Sequence, residues 1–583
     1  KVQSYCIFMN LFNMGFLKNI LSTITALIII ILVLVIFLIG FIYPSSDDFE
    51  VKNRSILHIN IKNSIVDREK TSEFDLINPA CSPDGLIAVE EAILKAKDDT
   101  LIKGIFLEIG DVKGSLANIA SLKRSLEAFK SSGRKIIAYS DGLSQVGYYL
   151  AASADSIFIN NISNIEWKGI GAQLMYFKSM LDKIGIKAQP VRAGKFKSAI
   201  EPFAMDSMSV QNKYQLTQML NDIWSNIILE VSRARGISCK ELDRIANDLG
   251  YLLADEALEN RLIDGIKYED EIISLLNQMV GGTCNLISIT NYSKSIKNNK
   301  TSSSKIVVVN ADGTIVDAGT ESDISGVQYC KLFDDILKDN NIKAVVLRIN
   351  SPGGSALASE KLWRKLKLIS AKLPLIVSMG NYAASGGYYM ACAGDTILAE
   401  ENTITGSIGV FGLMFNVSKL NDKIGVKIEK VKTNQMSDFP SYYRDISIKE
   451  RNRIHKGINS VYSTFKTRVE TGRSLSKSQV EQIAEGRVWT GKQALEIGLV
   501  DQIGGLEKAV SIAANCANIQ LFKVIHLPVQ KTPFETIVHK LTNQTQLSLP
   551  EPFSQYNYMI QNPSFFKNFS KPQARLPFVI KID

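Results

Sequence analysis

The apolar residues of the chain fall into one long uninterrupted run and many short ones. Ile20 to Tyr43 is uncharged and almost wholly apolar. As a helix, those 24 residues would extend about 36 Å, enough to cross a bilayer core of roughly 30 Å with some tilt. Lys1 and Lys18 precede the run, and Asp47, Asp48 and Glu50 follow it. The bias predicts one transmembrane anchor (20–43), with residues 1–19 cytoplasmic and the body extracytoplasmic, on a bacterial-type inner membrane. The run is longer than the apolar core of a cleaved leader, and no small-x-small site follows it, so it is read as uncleaved. Met9 and Met14 stand as alternative starts.

Past the anchor the rhythm changes. Short β-branched runs (Ile136–Tyr139, Ala344–Ile349, Leu375–Ser378) alternate with helical periodicity (Leu116–Ser131, Leu357–Ser370). Strand, helix, strand at this spacing predicts βαβ crossovers and a mainly parallel sheet, with ligand sites at the carboxyl ends of strands. The pattern also occurs twice. Ile102–Ile109 matches Ile342–Ile349, Gly147-Tyr148-Tyr149 matches Gly387-Tyr388-Tyr389, and Asp182–Lys187 matches Asp422–Lys427, each at an offset of 240 residues. The chain is therefore read as two copies of one α/β domain, 52–290 and 305–530. A polar linker, 291–304, joins them, and a tail without clear period, 531–583, follows.

Composition narrows the function classes. The net charge of +9 is spread without a long basic tract, which speaks against nucleic-acid binding and for mild attraction to anionic lipid. The seven cysteines lie far apart with no CxxC or Cys/His spacing, so no zinc site is expected, nor any other metal or cofactor. Pairing among the cysteines beyond the anchor stays open, and Cys392 reads as core filler.

Each copy serves as a control for the other. Ser407, in Thr405-Gly406-Ser407-Ile408-Gly409, aligns with Lys168 or Gly169, so the first copy has no hydroxyl there. Lys197 aligns with Ser437, so the second copy lacks the lysine. Gly353-Gly354, just past a strand, aligns with Lys113-Gly114. Each half holds what the other lacks, which a purely structural duplication does not require. Ser407 and Lys197 are thus a candidate nucleophile and base. A lysine accepts a proton only when neutral, so its pKa must fall well below about 10.4, mainly by burial. Phe196 and the Ile200 to Phe203 stretch suit such a setting, and Glu201 must point away. Ser385, in Ala384-Ser385-Gly386-Gly387, opens a helix and is the rival nucleophile; it aligns with Gln145. The chain has four histidines, none within these motifs.

These motifs, SPGGS at 351–355, NYAASGGYYMACAGD at 381–395, TGSIGVFG at 405–412, KFKSAIEPF at 195–203 and GRVWTGKQALEIGLVD at 486–501, together resemble the signal peptide peptidase A, or protease IV, family in its long two-copy form. The resemblance implies tandem Clp protease/crotonase-like domains. It implies that a serine matching Ser407 attacks a peptide carbonyl, that a lysine matching Lys197 is the base, and that Gly354 first and Gly353 second hold the oxyanion. It implies cleaved signal peptides and other short hydrophobic peptides as substrates, lipid contact and a homotetramer. Two other classes stay open. A crotonase-like acyl-CoA enzyme would share the architecture, but CoA is cytosolic. An inactive peptide-binding membrane scaffold would have no reason to keep one of each group.

Overall fold

The computed structural model describes residues 19, 22–30, 33, 50–61, 65–68, 85–112, 114–295, 302–319, 323–529 and 572–576. The chain forms two units, 1–50 and 51–583. In the first, residues 22–30 are helical and exposed. Much of the expected anchor lies outside the described residues, and no helix among those described is long and apolar enough to cross a membrane.

The second unit holds both copies. In the first copy, strands β1 (Ser55–Ile61), β2 (Ile102–Ile109), β3 (Lys135–Ser140) and β4 (Ser156–Ile159) lie side by side in the order β4-β3-β2-β1, all parallel. Their residues are buried on both faces, which is why they read as continuous apolar runs rather than alternating ones. Helix α1 (Leu116–Lys130) starts where the Ser115 hydroxyl accepts the Asn118 amide, satisfying one of the free N–H groups of its first turn. Strand β5 (Lys187–Ala193) leaves this sheet altogether.

The second copy repeats the plan with β6 (Lys305–Asp312), β7 (Ile342–Ser351), β8 (Gly353–Ser355), β9 (Leu375–Ala384), β10 (Ile404–Gly406) and β11 (Val410–Asn416), and with helices α2 (Ala356–Ser370) and α3 (Gly386–Ala391). Strands β10-β9-β7-β6 form its main sheet in that order. The fold is α/β with mainly parallel sheets in two copies, as the periodicity predicts. One boundary shifts: the polar stretch assigned to the linker begins inside a helix, Ile289–Ser295. Its Tyr292 is 1% exposed and donates to Asp99 Oδ2 at 3.1 Å, so one buried ring outweighs polar neighbours. The five described cysteines are free, and Cys392 is buried in the core as expected.

A third sheet joins the copies. Its order is Ile324–Ser325, Ile315–Val316, β8, β12 (Gln573–Arg575), β11 and β5. Strand β5 of the first copy pairs antiparallel with β11 of the second over seven positions, from Lys187 opposite Asn416 to Ala193 opposite Val410. Ion pairs between the copies add to this junction, two of them involving buried or nearly buried side chains. Arg348 Nε meets Asp67 Oδ2 at 2.8 Å, and Arg124 grips the buried Glu400.

Candidate active site

The β5–β11 pairing decides where the lysine goes. Strand β5 ends at Ala193, and Gly194 turns the chain at φ +105°. A Cβ at Gly194 would lie 2.7 Å from the Glu485 carbonyl carbon and oxygen, so only glycine fits. The next residues are pinned to the 485–488 segment of the second copy. The amide of Phe196 donates to the Glu485 carbonyl at 2.8 Å, and that of Lys195 to Glu485 Oε2 at 3.0 Å. Gln215 Nε2 donates to the Phe196 carbonyl at 3.1 Å, while its Oε1 accepts from the Val488 amide at 3.4 Å. Gly486, at φ +77°, would place a Cβ 2.7 Å from the Lys197 nitrogen. Lys197 thus crosses from one copy into the other within a single chain.

Its amine ends between two hydroxyls. Lys197 Nζ lies 2.7 Å from Ser385 Oγ, 2.9 Å from Ser407 Oγ and 3.0 Å from the Ser407 carbonyl oxygen. All three residues are fully buried. Burial is the sole cause of the shift at Lys197 and holds its pKa well below the ordinary lysine value. Glu201 points away, as expected: it accepts from Ser209 Oγ at 2.6 Å and from Arg192 at 3.4 Å. No carboxylate stands by to favour the ammonium, so burial shifts the balance toward the neutral amine.

The two serines are held differently. Ser385 stands between β9 and α3 at φ 55° and ψ −111°, a backbone region costing a non-glycine residue roughly 1–3 kcal/mol. Its amide donates to the Gly406 carbonyl at 2.8 Å. Such a strained strand-to-helix turn lifts a side chain clear of the sheet edge. Ser407 also has positive φ, 51°. Its amide donates to the Arg487 carbonyl at 2.7 Å, and its hydroxyl faces the Gly486 carbonyl at 3.4 Å. The glycine pair sits beside Ser385. A Cβ on Gly353 would lie 2.7 Å from the Gly386 nitrogen, and one on Gly354 would lie 2.0 Å from the Ile315 carbonyl oxygen. Both positions therefore require glycine.

The structure brings Lys197, Ser407, Ser385 and Gly353 into one place, and Gly354 follows in the same strand. The first copy holds a filled version of the same corner. Gln145, the counterpart of Ser385, accepts through Oε1 from the amides of Lys168 and Gly169, both at 2.9 Å. Those are the two positions aligned with Ser407. Sequence reasoning missed the Gly386 amide, the backing carbonyls of Gly486 and Arg487, and the clamp at Gln215. The GRVWTG stretch was the only signal for the second of these, as a motif without an assigned task. Among the described residues no group of acidic, histidine or cysteine side chains could hold a metal ion.

The model of peptidase family S49 matches residues 128–282 and 367–520, one block in each copy. The chain belongs to that family and is a serine peptidase. It is 35% identical over 447 residues to Protease 4 of Haemophilus influenzae, covering 73% of this chain and 72% of the relative. It is 30% identical over 520 residues to Protease 4 of Salmonella typhi, covering 85% and 84%. To the chloroplastic serine protease SPPA of Arabidopsis thaliana it is 31% identical over 504 residues, covering 84% and 73%.

Proposed function

We propose that the protein is a membrane-anchored endopeptidase with a serine–lysine dyad in which Ser385 is the nucleophile, Lys197 the base, and Ser407 the group that aims the lysine. This reverses the roles expected for the two serines. The observation that carries it is the hydrogen-bond inventory at Nζ. A neutral amine has two N–H donors and one lone pair. The Ser407 carbonyl and hydroxyl oxygens, at 3.0 and 2.9 Å, take the two donors. The lone pair is then left for the Ser385 hydroxyl at 2.7 Å. The Ser407 proton is directed to the Gly486 carbonyl. Ser385 also adjoins the glycine strand, and Ser407 lies across the amine from it.

In this mechanism Lys197 takes the Ser385 proton as Oγ attacks the peptide carbonyl. In this reading the amides of Gly354 and Gly386 are the donors for the developing oxyanion, while that of Gly353, the second residue expected in this role, donates to Ser351 Oγ at 3.2 Å; such preorganised donors are often the largest single contribution to catalysis. The protonated lysine then delivers its proton to the leaving amine. Water, deprotonated by Lys197, cleaves the acyl-enzyme. Serine–lysine pairs follow the logic of the histidine triads without needing a histidine.

The apolar run 20–43 supports anchoring with the body outside the cytoplasmic membrane, and hence short hydrophobic peptides, such as signal-peptide remnants, as substrates. The body assembles as a homotetramer in this reading. The test of the dyad is a serine-reactive fluorophosphonate followed by peptide mapping. Label on Ser385, absent from Lys197→Ala, is expected; label on Ser407 would overturn the assignment.

A further inference from the structure

The strands that lead to the site are gripped by the first copy through a buried cluster of charges. Arg348 lies on β7, the strand that runs on toward Gly353 and Gly354, and is 3% exposed. Its Nη1 donates to the Ser378 hydroxyl at 3.0 Å and to the Met379 carbonyl at 2.9 Å, both on β9, the strand that leads to Ser385. Its Nε and Nη2 donate to the two carboxylate oxygens of Asp67, from the first copy, at 2.8 and 3.1 Å. Glu400 is fully buried and precedes β10, the strand that leads to Ser407. Both its carboxylate oxygens accept from Arg124 on α1. Its amide donates to Thr403 Oγ1 at 3.0 Å, and that hydroxyl donates to the Gly380 carbonyl of β9 at 2.8 Å.

A third carboxyl faces these pairs without an arginine of its own. Glu90, on the helix Leu86–Asp98 of the first copy, is 6% exposed. The charged groups that face it are Arg348 from β7, Glu400 from the loop before β10 and Arg124 from α1, and the Ser121 hydroxyl of α1 is its hydrogen-bond partner. Among the described residues its Oε1 accepts no hydrogen bond. Gly505, in the turn before the helix Leu506–Cys516, closes the cluster. A Cβ there would fall 2.6 Å from Ser121 Oγ, 2.8 Å from Arg124 Nη2 and 3.0 Å from Glu400 Oε1. Two arginines thus meet three carboxyls, and the forks of both are taken by Asp67 and Glu400. A buried carboxylate with no cation of its own is costly, and such a group gives up its charge instead. Burial, the largest cause, pushes the Glu90 carboxyl up to about 7.

We infer that Glu90 is a proton-operated positioning residue: neutral, it leaves the two arginines on Asp67 and Glu400; ionised, it draws them from those partners, repels Glu400 and slackens the first copy's grip on β7, β9 and β10. The inference adds a control to the peptidase reading above and changes no role within it. Glu90 touches no reacting group. Its effect runs through the strands, since β7 leads to the glycine pair, β9 to Ser385 and β10 to Ser407. Two opposite proton demands follow. Lys197 must lose its proton for turnover, and Glu90 must keep its own. The profile of kcat/KM against pH is therefore bell-shaped, with its acid limb from Lys197 and its base limb from Glu90.

The test measures kcat/KM of the full-length chain on a hydrophobic fluorogenic peptide across the pH range, for wild type and for Glu90→Gln, which keeps the shape of the neutral carboxyl. Wild type is expected to lose about threefold or more on the alkaline side, the worth of part of one charged hydrogen bond. Glu90→Gln keeps the acid limb and holds a plateau where wild type falls. Glu90→Met, which cannot ionise either, holds the same plateau. An infrared carboxylic-acid band, present in wild type on the acid side of neutrality and missing from Glu90→Gln, reports the proton directly. A wild-type profile without a base limb, a limb that survives in Glu90→Gln, an infrared spectrum unchanged by the substitution, or a Glu90→Gln enzyme slowed by the same factor at every pH overturns the inference and leaves the peptidase reading standing. A wild-type chain that hydrolyses the peptide at no pH overturns both.

Discussion

Replacing the two serines separately distinguishes the hydroxyl that attacks from the one that holds. Ser385→Ala removes the proposed nucleophile and its proton, and losses of this kind reach about 10⁶-fold in turnover. Ser407→Ala is milder. The amine keeps the Ser407 carbonyl at 3.0 Å and Ser385 Oγ at 2.7 Å, and loses one acceptor at 2.9 Å. A hydrogen bond of that kind is worth about 1–3 kcal/mol, which corresponds to about 5- to 150-fold in kcat/KM. The mutation also has a direction in pH. Each acceptor on Nζ favours the ammonium, so removing one favours the neutral amine and moves the acid limb of the profile to lower pH. The assay is kcat/KM on a hydrophobic fluorogenic peptide across the pH range, for wild type, both alanine variants and Lys197→Ala. The reasoning fails if Ser407→Ala falls as far as Lys197→Ala while Ser385→Ala keeps a measurable fraction of the wild-type rate.

Three other consequences are open to measurement. The native pKa of Lys197 is depressed, so below the free-lysine value the unfolded chain binds a proton that the native state lacks. Each pH unit on the way down costs about 1.4 kcal/mol until the native amine protonates; Lys197→Met should therefore be the more stable protein near neutrality, with a gap that narrows as pH rises, and a constant gap in urea midpoints would contradict it. Glu90 has the opposite sign: burial is the main cause that raises its pKa to about 7. Stability is lost as pH rises through that value, and Glu90→Gln should recover up to about 3 kcal/mol above it, seen as a pH-dependent difference in thermal midpoints that vanishes in acid. Gly486→Ala would press a methyl within 2.7–2.9 Å of the Lys197 backbone and Cβ; displacing the base by a fraction of an ångström should cut turnover by about 100-fold, and unchanged kinetics with intact fold would mean that Lys197 is not held there.

What could be read beforehand, and what could not, follows from the kind of signal each feature leaves. The parallel sheets were legible because β2 and β7 are apolar runs buried on both faces, repeated at one offset. The lysine was legible through its absence from the second copy. Which serine attacks was not legible: Ser385 and Ser407 both lie between small residues, and the difference between them is which backbone groups stand behind each hydroxyl. The Gly386 amide carries no side chain and left no mark of its own beyond a glycine doublet. The tail strand escaped notice because three residues set no period. Its order comes from β8 on one side and β11 on the other, not from its own composition.

The duplicated domain explains why the site needs both halves. In the first copy the corner equivalent to Ser385 is closed by Gln145, whose carboxamide oxygen takes the Lys168 and Gly169 amides. A glutamine there can satisfy its neighbours but cannot attack, so that copy is released from catalysis. It is then free to send β5 and its lysine out of its own sheet. The seven-position pairing of β5 with β11 sets the register of everything that follows, and Gly194, Glu485 and Gly486 convert that register into the position of one nitrogen. A slip by one residue would turn the side chains of β5 to the opposite face and carry Lys197 with them. The junction that orders the two copies and the geometry proposed to activate the serine are therefore the same set of hydrogen bonds, and a variant that loosens the first should disturb the second.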